Sequence, residues 1–295
     1  MDLVVRVADM PKKGETIRSH SYKQIPGGKG ANQACACGKL GGDCTFLSVV
    51  GQDGMGQALI ESLQSAGVDT RFMVRHTEPT GIAIITVSGD GDNSIVIVPG
   101  ANGKCDAAYI EGNRQQIAEA DFVVTQLETP EEGVYDLLQW AKENNKVTVL
   151  NPAPAPDSIP EDVLQGLDYI TPNETELEKL TGIPTDTLDG IEKAARKLLS
   201  QGVGNVLVTI GAQGAFLCNR EMAKVFPTIT VKAVDTTAAG DTFNAGFVVA
   251  LSQDRTLEEA IAFANAAASI STTRPGAQPS IPTADEVETA LKGWK

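Results

Sequence analysis

The chain has 295 residues, with 24 Lys and Arg against 38 Asp and Glu, which gives a formal net charge of −14. A typical domain has about 100–200 residues, so this length suits one large domain or two modest ones. The acidic balance argues against nucleic acid and membrane surfaces as partners, although backbone N–H groups can still bind a small anion. No apolar run approaches the ~20 residues of a membrane span, and the five cysteines show no disulfide spacing, so we expect a cytoplasmic protein.

Predicted strands and helices alternate through most of the chain. Strands are predicted at 45–50, 122–127, 147–150 and 205–210, and helices at 55–66, 131–143, 174–180 and 191–200. Near-continuous apolar strands separated by amphipathic helices are typical of a parallel sheet covered on both faces. We therefore predict an α/β fold with a mostly parallel central sheet and helices on both faces.

Two segments, 3–25 and 81–98, interrupt this alternation. The second has two alternating apolar runs joined by a Gly-Asp-Gly-Asp-Asn turn, which indicates a β-hairpin. We predict that the two segments form one small antiparallel β-sheet. Residues 1–25 and 81–98 would then make a lid beside an α/β core of residues 26–80 and 99–295. A small sheet with an apolar face must cover either a ligand or a second copy of itself.

The sharpest motif is DTTAAGDTFNAGF at 235–247, where a β-rich run leads through a turn into a helix. Ala238, Ala239 and Gly240 carry almost no side chain, so an anion can approach the free N–H groups and the dipole of the helix start. Asp241 lies in that first turn, where it could simply complement the dipole. A carboxylate beside an anion site is unfavourable unless the reaction needs it, and this favours a functional role for Asp241. In that role Asp241 accepts a proton from a hydroxyl that attacks a phosphoryl group.

A second glycine-rich motif, GGKGAN at 27–32, opens a predicted helix. It matches neither a Walker A motif nor a dinucleotide fingerprint. On its pattern alone it is more simply a turn into a helix. In a functional interpretation, Gly27 and Gly28 would expose backbone N–H groups to a polyol, and Asn32 would both donate and accept hydrogen bonds.

Two further motifs follow predicted strands. In TPNETE at 171–176, Asn173 and Glu176 have the spacing of a capping box, and the alternative is a role in organising phosphate, Mg²⁺ and water. The TIGAQG segment at 209–214 is a glycine-rich loop at the carboxyl end of a strand. Open α/β sheets bind ligands at such ends, so this loop is a weaker candidate for the same site.

Taken together and in this order, these four motifs resemble the phosphofructokinase-B family of carbohydrate kinases, from about Asp2 to the C-terminus. NPAPA at 151–155, TPNETELEKLTG at 171–182 and TRPGAQPSIP at 273–282 add to the resemblance. It implies transfer of the γ-phosphoryl of ATP to the primary hydroxyl of a pentose, with D-ribose as the leading candidate. Mg²⁺ and K⁺ are the implied cofactors. A kinase acting on deoxyribose, another sugar or a nucleoside stays open, as does a catalytically weak sugar- or nucleotide-binding relative.

The resemblance also implies roles for individual residues. Asp241 would be the catalytic base, beside an anion hole formed by the N–H groups of Ala238, Ala239 and Gly240. The substrate would be bound by Asp2, Gly28, Lys29, Gly30, Ala31, Asn32, Glu128 and Asp241. ATP would be bound by Asn173, Glu176, Thr209, Ile210, Gly211, Ala212, Gln213, Gly214, Gly240 and Asn265. K⁺ would be held, in part through backbone carbonyls, by Asp235, Thr237, Ser271, Arg274, Gly276 and Ser280.

The start of the chain departs from the family pattern. Family members begin with a strand that ends in G-S-x-N-x-D, of which only the last residue is found here, as Asp2. We therefore expect Asp2 on a frayed terminus, and sugar binding weaker than in a chain extended upstream. The resemblance further implies a homodimer in which two lids clasp each other.

Overall fold

The computed structural model describes residues 1–294, which form twelve strands and eleven α-helices. The strands are β1 (Asp2–Arg6), β2 (Ser21–Ile25), β3 (Ser48–Gly51), β4 (Met73–His76), β5 (Ile82–Val87), β6 (Asn93–Val98), β7 (Phe122–Thr125), β8 (Val147–Leu150), β9 (Tyr169–Ile170), β10 (Asn205–Thr209), β11 (Ala215–Cys218) and β12 (Ala223–Phe226). The helices are α1 (Lys29–Lys39), α2 (Gly54–Ser65), α3 (Ala107–Gly112), α4 (Arg114–Ala118), α5 (Glu131–Glu143), α6 (Glu161–Leu164), α7 (Glu174–Thr181), α8 (Leu188–Ser200), α9 (Ala239–Ser252), α10 (Leu257–Ser271) and α11 (Ala284–Gly293).

The central sheet has six strands in the order β12-β11-β10-β9-β8-β7. The four strands β7 to β10 run parallel, while β11 and β12 return antiparallel. The reversal follows the glycine-rich loop after β10, where Gly214 has a φ of +101° and a Cβ would lie 2.2 Å from the carbonyl oxygen of Phe226. The predicted α/β class is confirmed, with an antiparallel edge on a mostly parallel sheet.

Side chains of the central strands alternate between two cores. Val149 and Leu207 pack with α1, α9 and α10 on one face, whereas Leu150 and Val206 pack with α5, α7 and α8 on the other. This alternation is the period of two expected of a strand buried on both faces. The parallel strands therefore end between two helical layers, at the sheet edge where ligands of such folds bind.

Helix α9 is placed by close packing near its middle. A Cβ at Gly246 would lie 3.2 Å from Cα of Ala264 in α10 and 3.5 Å from a methyl group of Leu40, which follows α1. Side chains are small enough here that three helices approach one another closely. The N-terminus of α9 consequently lies beside the N-terminal half of α1.

A second, four-stranded sheet has the order β2-β1-β5-β6. The pairs β1–β2 and β5–β6 are antiparallel as predicted, but the central pair β1–β5 is parallel. The reason is that both central strands start from the junction with the core, where the terminal amine of Met1 donates to the carbonyl oxygen of Gly81 at 3.0 Å. All of β6 is exposed, including its four apolar side chains from Ile95 to Val98.

Within residues 1–294 no helix is long and apolar enough to cross a membrane.

Candidate active site

The first turns of α1 and α9 meet at the carboxyl edge of the central sheet. Both helices begin without a side-chain cap, and each follows a residue in the left-handed region, Gly28 at φ +96° and Ala238 at φ +61°. Asn32 in the first helix donates from Nδ2 to Oδ2 of Asp241 in the second, at 2.9 Å. Two glycine-rich motifs more than two hundred residues apart therefore build one site.

Asp241 is only 6 % exposed, although it is ionisable. Its Oδ1 accepts a hydrogen bond from Nε2 of Gln33 at 3.1 Å, and its Oδ2 accepts the bond from Asn32. Burial raises the pKa of this carboxyl group, while the charge of Lys29 and the two amide donors oppose the rise. A carboxylate held in this way suits a general base better than a charge that only complements a helix dipole.

Two more carboxyl groups flank the GGKGAN loop. Oε2 of Glu128 accepts from the N–H of Lys29 at 2.8 Å. A Cβ at Gly27 would lie 2.2 Å from Oδ2 of Asp2, so a larger residue here would displace the Asp2 carboxylate. Burial raises the pKa of both Asp2 and Glu128, and the charge of Asp241 adds to the rise. Carboxylates grouped around a glycine-rich loop are good acceptors for the hydroxyl groups of a polyol.

The expectation that Asp2 lies on a frayed terminus is wrong. Asp2 is in β1, where it pairs with Ile25 on one side and Ala83 on the other. Met1 is 6 % exposed, and its terminal amine is hydrogen-bonded to Gly81. Pairing on both sides holds the Asp2 carboxylate against the sugar-binding loop predicted from the sequence.

The start of α9 offers free N–H groups, though not all of the three predicted. The N–H of Ala239 donates to the carbonyl oxygen of Thr236 at 3.2 Å. In the described part of the chain, the N–H groups of Ala238, Gly240 and Asp241 donate to no protein acceptor, and Gly240 is exposed. With the helix dipole these groups form a site for an anion next to the Asp241 carboxylate.

The loops predicted to bind ATP adjoin one another along the sheet edge. Asn173 and Glu176 form a capping box with two 2.8 Å hydrogen bonds, and Asn173 is bridged to Thr209. The following loop turns at Gly211 and Gly214, both at positive φ, and leaves residues 211–213 exposed. The structural and functional interpretations of TPNETE are therefore compatible, since the cap also brings Glu176 within electrostatic reach of Lys29 and Asp241.

Asn265 lies beneath this region rather than at its surface. It is 3 % exposed, and its Nδ2 donates to the carbonyl oxygens of Phe226 (2.9 Å) and Pro227 (3.3 Å). Its side-chain nitrogen is thus committed to the chain segment after β12. The side-chain nitrogen holds that segment in place, and only the Oδ1 atom of Asn265 is left to accept a hydrogen bond from a ligand.

The residues predicted to hold K⁺ lie on two loops joined by Asp235. Its Oδ1 accepts from the N–H of Thr237 at 2.9 Å, and its Oδ2 accepts from the N–H of Gly276 at 2.9 Å. Ser271 and Ser280 are fully buried and their hydroxyls donate to Ala268 and Ala277 of their own turns. The Arg274 side chain turns away to an ion pair with Glu286.

Asp235 is the one carboxylate among the residues predicted to hold K⁺. The hydroxyls of Ser271 and Ser280 donate within their own turns but keep oxygen lone pairs, whereas the cationic Arg274 side chain leaves only its backbone as a ligand. Across residues 1–294, no cluster of three or more His, Cys, Asp or Glu side chains is suited to a metal ion.

Sequence reasoning missed three polar residues next to Asp241. Gln33, Gln126 and Asn151 form side-chain hydrogen bonds that lead to its carboxylate. Gln33 and Asn151 stand in the GGKGANQA and NPAPA segments that the sequence already singled out, but nothing local distinguishes them from their neighbours. Their partners lie about 90 to 210 residues away, and only the fold brings them together.

Comparisons with known proteins agree with this geometry. Residues 1–284 match the model of the pfkB family of carbohydrate kinases. The chain is 42 % identical over 286 residues to a ribokinase of Haemophilus influenzae, covering 97 % of this chain and 93 % of the relative. It is 37 % identical over 287 residues to a deoxyribokinase of Salmonella typhi, covering 97 % and 94 %.

A solved structure extends the likeness to three dimensions. The Arabidopsis thaliana ribokinase complexed with ribose and ATP superposes with a TM-score of 0.90 at 35 % identity, covering 99 % of this chain and 95 % of that one. The chain therefore belongs to the pfkB family of carbohydrate kinases. It is an enzyme of that class, an ATP-using sugar kinase, as the resemblance implied.

Proposed function

We propose that this enzyme transfers the γ-phosphoryl of ATP to the primary hydroxyl of D-ribose and releases D-ribose 5-phosphate. The observation that carries the proposal is the buried Asp241 carboxylate at the start of α9, hydrogen-bonded to Asn32 of the glycine-rich loop. A ribose-phosphorylating relative at 42 % identity and a relative bound to ribose and ATP support this substrate.

In the proposed reaction the sugar lies against the GGKGAN loop. Asp2 and Glu128 accept hydrogen bonds from its secondary hydroxyls, and Asn32 donates or accepts through its amide. Asn32 Oδ1 is buried without a partner among the described residues, so it is free to accept a sugar hydroxyl. These contacts would hold the primary hydroxyl at the Asp241 carboxylate, which is the arrangement that in-line attack requires.

Asp241 then accepts the hydroxyl proton as the oxygen attacks the γ-phosphorus. The free N–H groups of Gly240 and Asp241 stabilise the charge that develops on the transferred phosphoryl oxygens. ADP leaves as the bond between its β-phosphate oxygen and the γ-phosphorus breaks. Asn173, Glu176 and residues 209–214 would bind the nucleotide, with adenine near the segment that Asn265 anchors.

Two cofactors belong to this proposal. Mg²⁺ would enter with the nucleotide phosphates and keep several of its waters, with Glu176 as a water-mediated partner. K⁺ would be held between the loops at 235–237 and 271–280, where it would order both loops and balance phosphate charge. The hydrogen bonds from Thr237 and Gly276 to one Asp235 carboxylate support that position, because they already join the two loops.

We also propose that residues 1–25 and 81–98 act as a lid over the sugar and join two chains into a homodimer. Ile95, Val96 and Ile97 on the edge strand are between 52 % and 62 % exposed, which is unusual for an unpaired apolar edge. A cytoplasmic location also stays a prediction from composition, supported by five free cysteines.

The competing substrate is deoxyribose, because a deoxyribokinase is 37 % identical to this chain. An ATP-coupled assay over ribose, deoxyribose, fructose and adenosine distinguishes the alternatives. The proposal expects the highest kcat/KM for ribose. A higher value for any of the other three would replace ribose as the substrate.

A further inference from the structure

Three side-chain amides form a chain of hydrogen bonds that ends at Asp241. Nδ2 of Asn151, just after β8, donates to the carbonyl oxygen of Thr171 at 3.0 Å. Nε2 of Gln33 donates both to Oδ1 of Asn151 and to Oδ1 of Asp241, each at 3.1 Å. Nε2 of Gln126 donates to Oε1 of Gln33 at 2.5 Å. Gln33 and Asn151 are 4 % and 7 % exposed, so water competes little for these bonds.

The donor-to-acceptor direction of these hydrogen bonds is fixed by the backbone carbonyl of Thr171, at the end away from Asp241. A backbone carbonyl only accepts hydrogen bonds, so Asn151 must turn its NH₂ group to Thr171 and its oxygen to Gln33. Gln33 must then present its NH₂ group, and both hydrogens are used, one on Asn151 and one on Asp241. Its oxygen is left for Gln126. A glutamine amide could otherwise present either end, but these partners allow only the donor to face Asp241.

We propose that Gln33 is a positioning residue for phosphoryl transfer, which holds Oδ1 of the Asp241 carboxylate with a donor of fixed polarity so that Oδ2 meets the substrate hydroxyl. Oδ2 carries one bond from Asn32 and keeps a second lone pair for the incoming proton. This inference rests on the proposed role of Asp241 as the base. Gln33 itself touches neither substrate nor phosphate in this account.

The electrostatic surroundings make the donor necessary. Burial is the largest influence on Asp241 and raises its pKa, and Lys29 is the cation that opposes it. Three other acidic side chains face the same region and disfavour a further negative charge: Asp2, Glu128 and Glu176. With carboxylates outnumbering the cation, the two amide donors on Asp241 favour its ionised form against this burial.

The test is the pH profile of kcat/KM for ribose at saturating ATP, whose acidic limb reports the ionisation of the base. Gln33→Met removes the donor at similar length and should move the midpoint of that limb up by about one pH unit. Gln139→Met is the matched control, since Gln139 is bonded to Asp162 on the surface of α5. An unchanged midpoint in folded Gln33→Met, even with a lower rate, would overturn the positioning role.

A second variant keeps the inference testable if Gln33→Met does not fold. Gln126→Met removes the bond that holds the oxygen of Gln33, so the amide keeps its polarity but loses one of the three contacts that fix its position. Its acidic limb should move in the same direction by a smaller amount. A limb that stays at the wild-type position, or moves to lower pH, would contradict the inference.

Failure of this inference is distinguishable from failure of the proposed function. If wild-type protein phosphorylates no sugar, or if Asp241→Asn keeps its activity, the proposed function is wrong. If wild-type protein is active, Asp241→Asn is inactive and both glutamine variants keep the wild-type limb, only the role of Gln33 is wrong.

Discussion

Asn32 donates a 2.9 Å hydrogen bond to Asp241 across 209 positions of sequence. The bond joins the first turns of α1 and α9, and so it couples the loop proposed to bind the sugar to the helix start proposed to bind the transferred phosphoryl group. Both partners are buried, at 5 % and 6 % exposure. A sugar held by one motif would therefore be presented to the base of the other without movement of either helix.

Asp241→Asn should lower kcat by ~10²–10⁴-fold, because the variant cannot accept the hydroxyl proton. ATP should still bind, since the N–H groups at the start of α9 and the loop at 209–214 are unchanged. Steady-state rates and an ATP titration followed by calorimetry measure the two effects. Asp186→Asn, at an exposed position, is the control, and a kcat for Asp241→Asn near that of the control would refute the assignment of the base.

Asp2→Asn should raise KM for ribose about tenfold and change kcat less, because one charged acceptor for a sugar hydroxyl is lost. The effect depends on the position of Asp2 in β1, where it is paired on both sides rather than frayed. Initial rates over a range of ribose concentrations measure it. An unchanged KM would mean that the Asp2 carboxylate does not reach the sugar.

Glu128→Gln should stabilise the protein without substrate while weakening sugar binding. Burial raises the pKa of Glu128 above its value in the unfolded chain, so the folded state loses stability as pH rises through that range. The neutral amide removes this loss. We expect the variant to have a Tm higher by about 1–3 °C at pH 8 and no difference near pH 4.

Calorimetric scans of both proteins over this pH range are the measurement for Glu128→Gln. The control is Glu132→Gln, which is exposed in the first turn of α5. A lower Tm for Glu128→Gln at pH 8 would indicate that the bond from the Lys29 N–H outweighs the burial of the charge.

K⁺ should activate the enzyme more than Na⁺ does, because the proposed cation would order the two loops that Asp235 joins and balance phosphate charge. Asp235→Ala should reduce both the rate and its dependence on K⁺, since it frees Thr237 and Gly276. Rates are compared at equal ionic strength in the chlorides of potassium, sodium and tetramethylammonium. Equal rates in potassium and tetramethylammonium would rule out a specific site.

The protein should be a dimer at micromolar concentration, held through the exposed apolar strand β6. Light scattering should give about twice the chain mass of 31.0 kDa. Ile95→Lys should shift the mass towards that of one chain, because a charge would be buried in the contact. Leu188→Lys, an exposed apolar position on α8, is the matched control, and a monomeric wild-type protein would exclude this assembly.

Much of the fold could be predicted because periodicity and turn chemistry are local. The alternating runs around the Gly-Asp-Gly-Asp-Asn turn predicted β5 and β6, and apolar runs predicted β7, β8 and β10. The parallel pairing of β1 with β5 could not be predicted, because it depends on where both strands leave the core. The error about Asp2 has the same cause, since its partner Ala83 lies in a distant segment.

The candidate site, like the fold, could be predicted from the sequence only in part. Small residues before Asp241 and the glycines at 27 and 28 carry a local signal of close approach to the backbone. Gln33 and Asn151 carry no such signal, because their function depends on which distant side chain each one meets. The hydrogen bond from Asn265 to the backbone carbonyl of Phe226 could not be predicted from the sequence for the same reason.

The most direct test of the account is to identify the product formed from ribose and ATP by ³¹P and ¹³C NMR, with wild-type protein and Asp241→Asn in parallel. The account predicts stoichiometric ADP and a phosphate ester on the primary C5 oxygen with wild-type protein, and neither with the variant. A phosphate ester on another hydroxyl, ATP hydrolysis without a sugar phosphate, or equal product from the variant would contradict it.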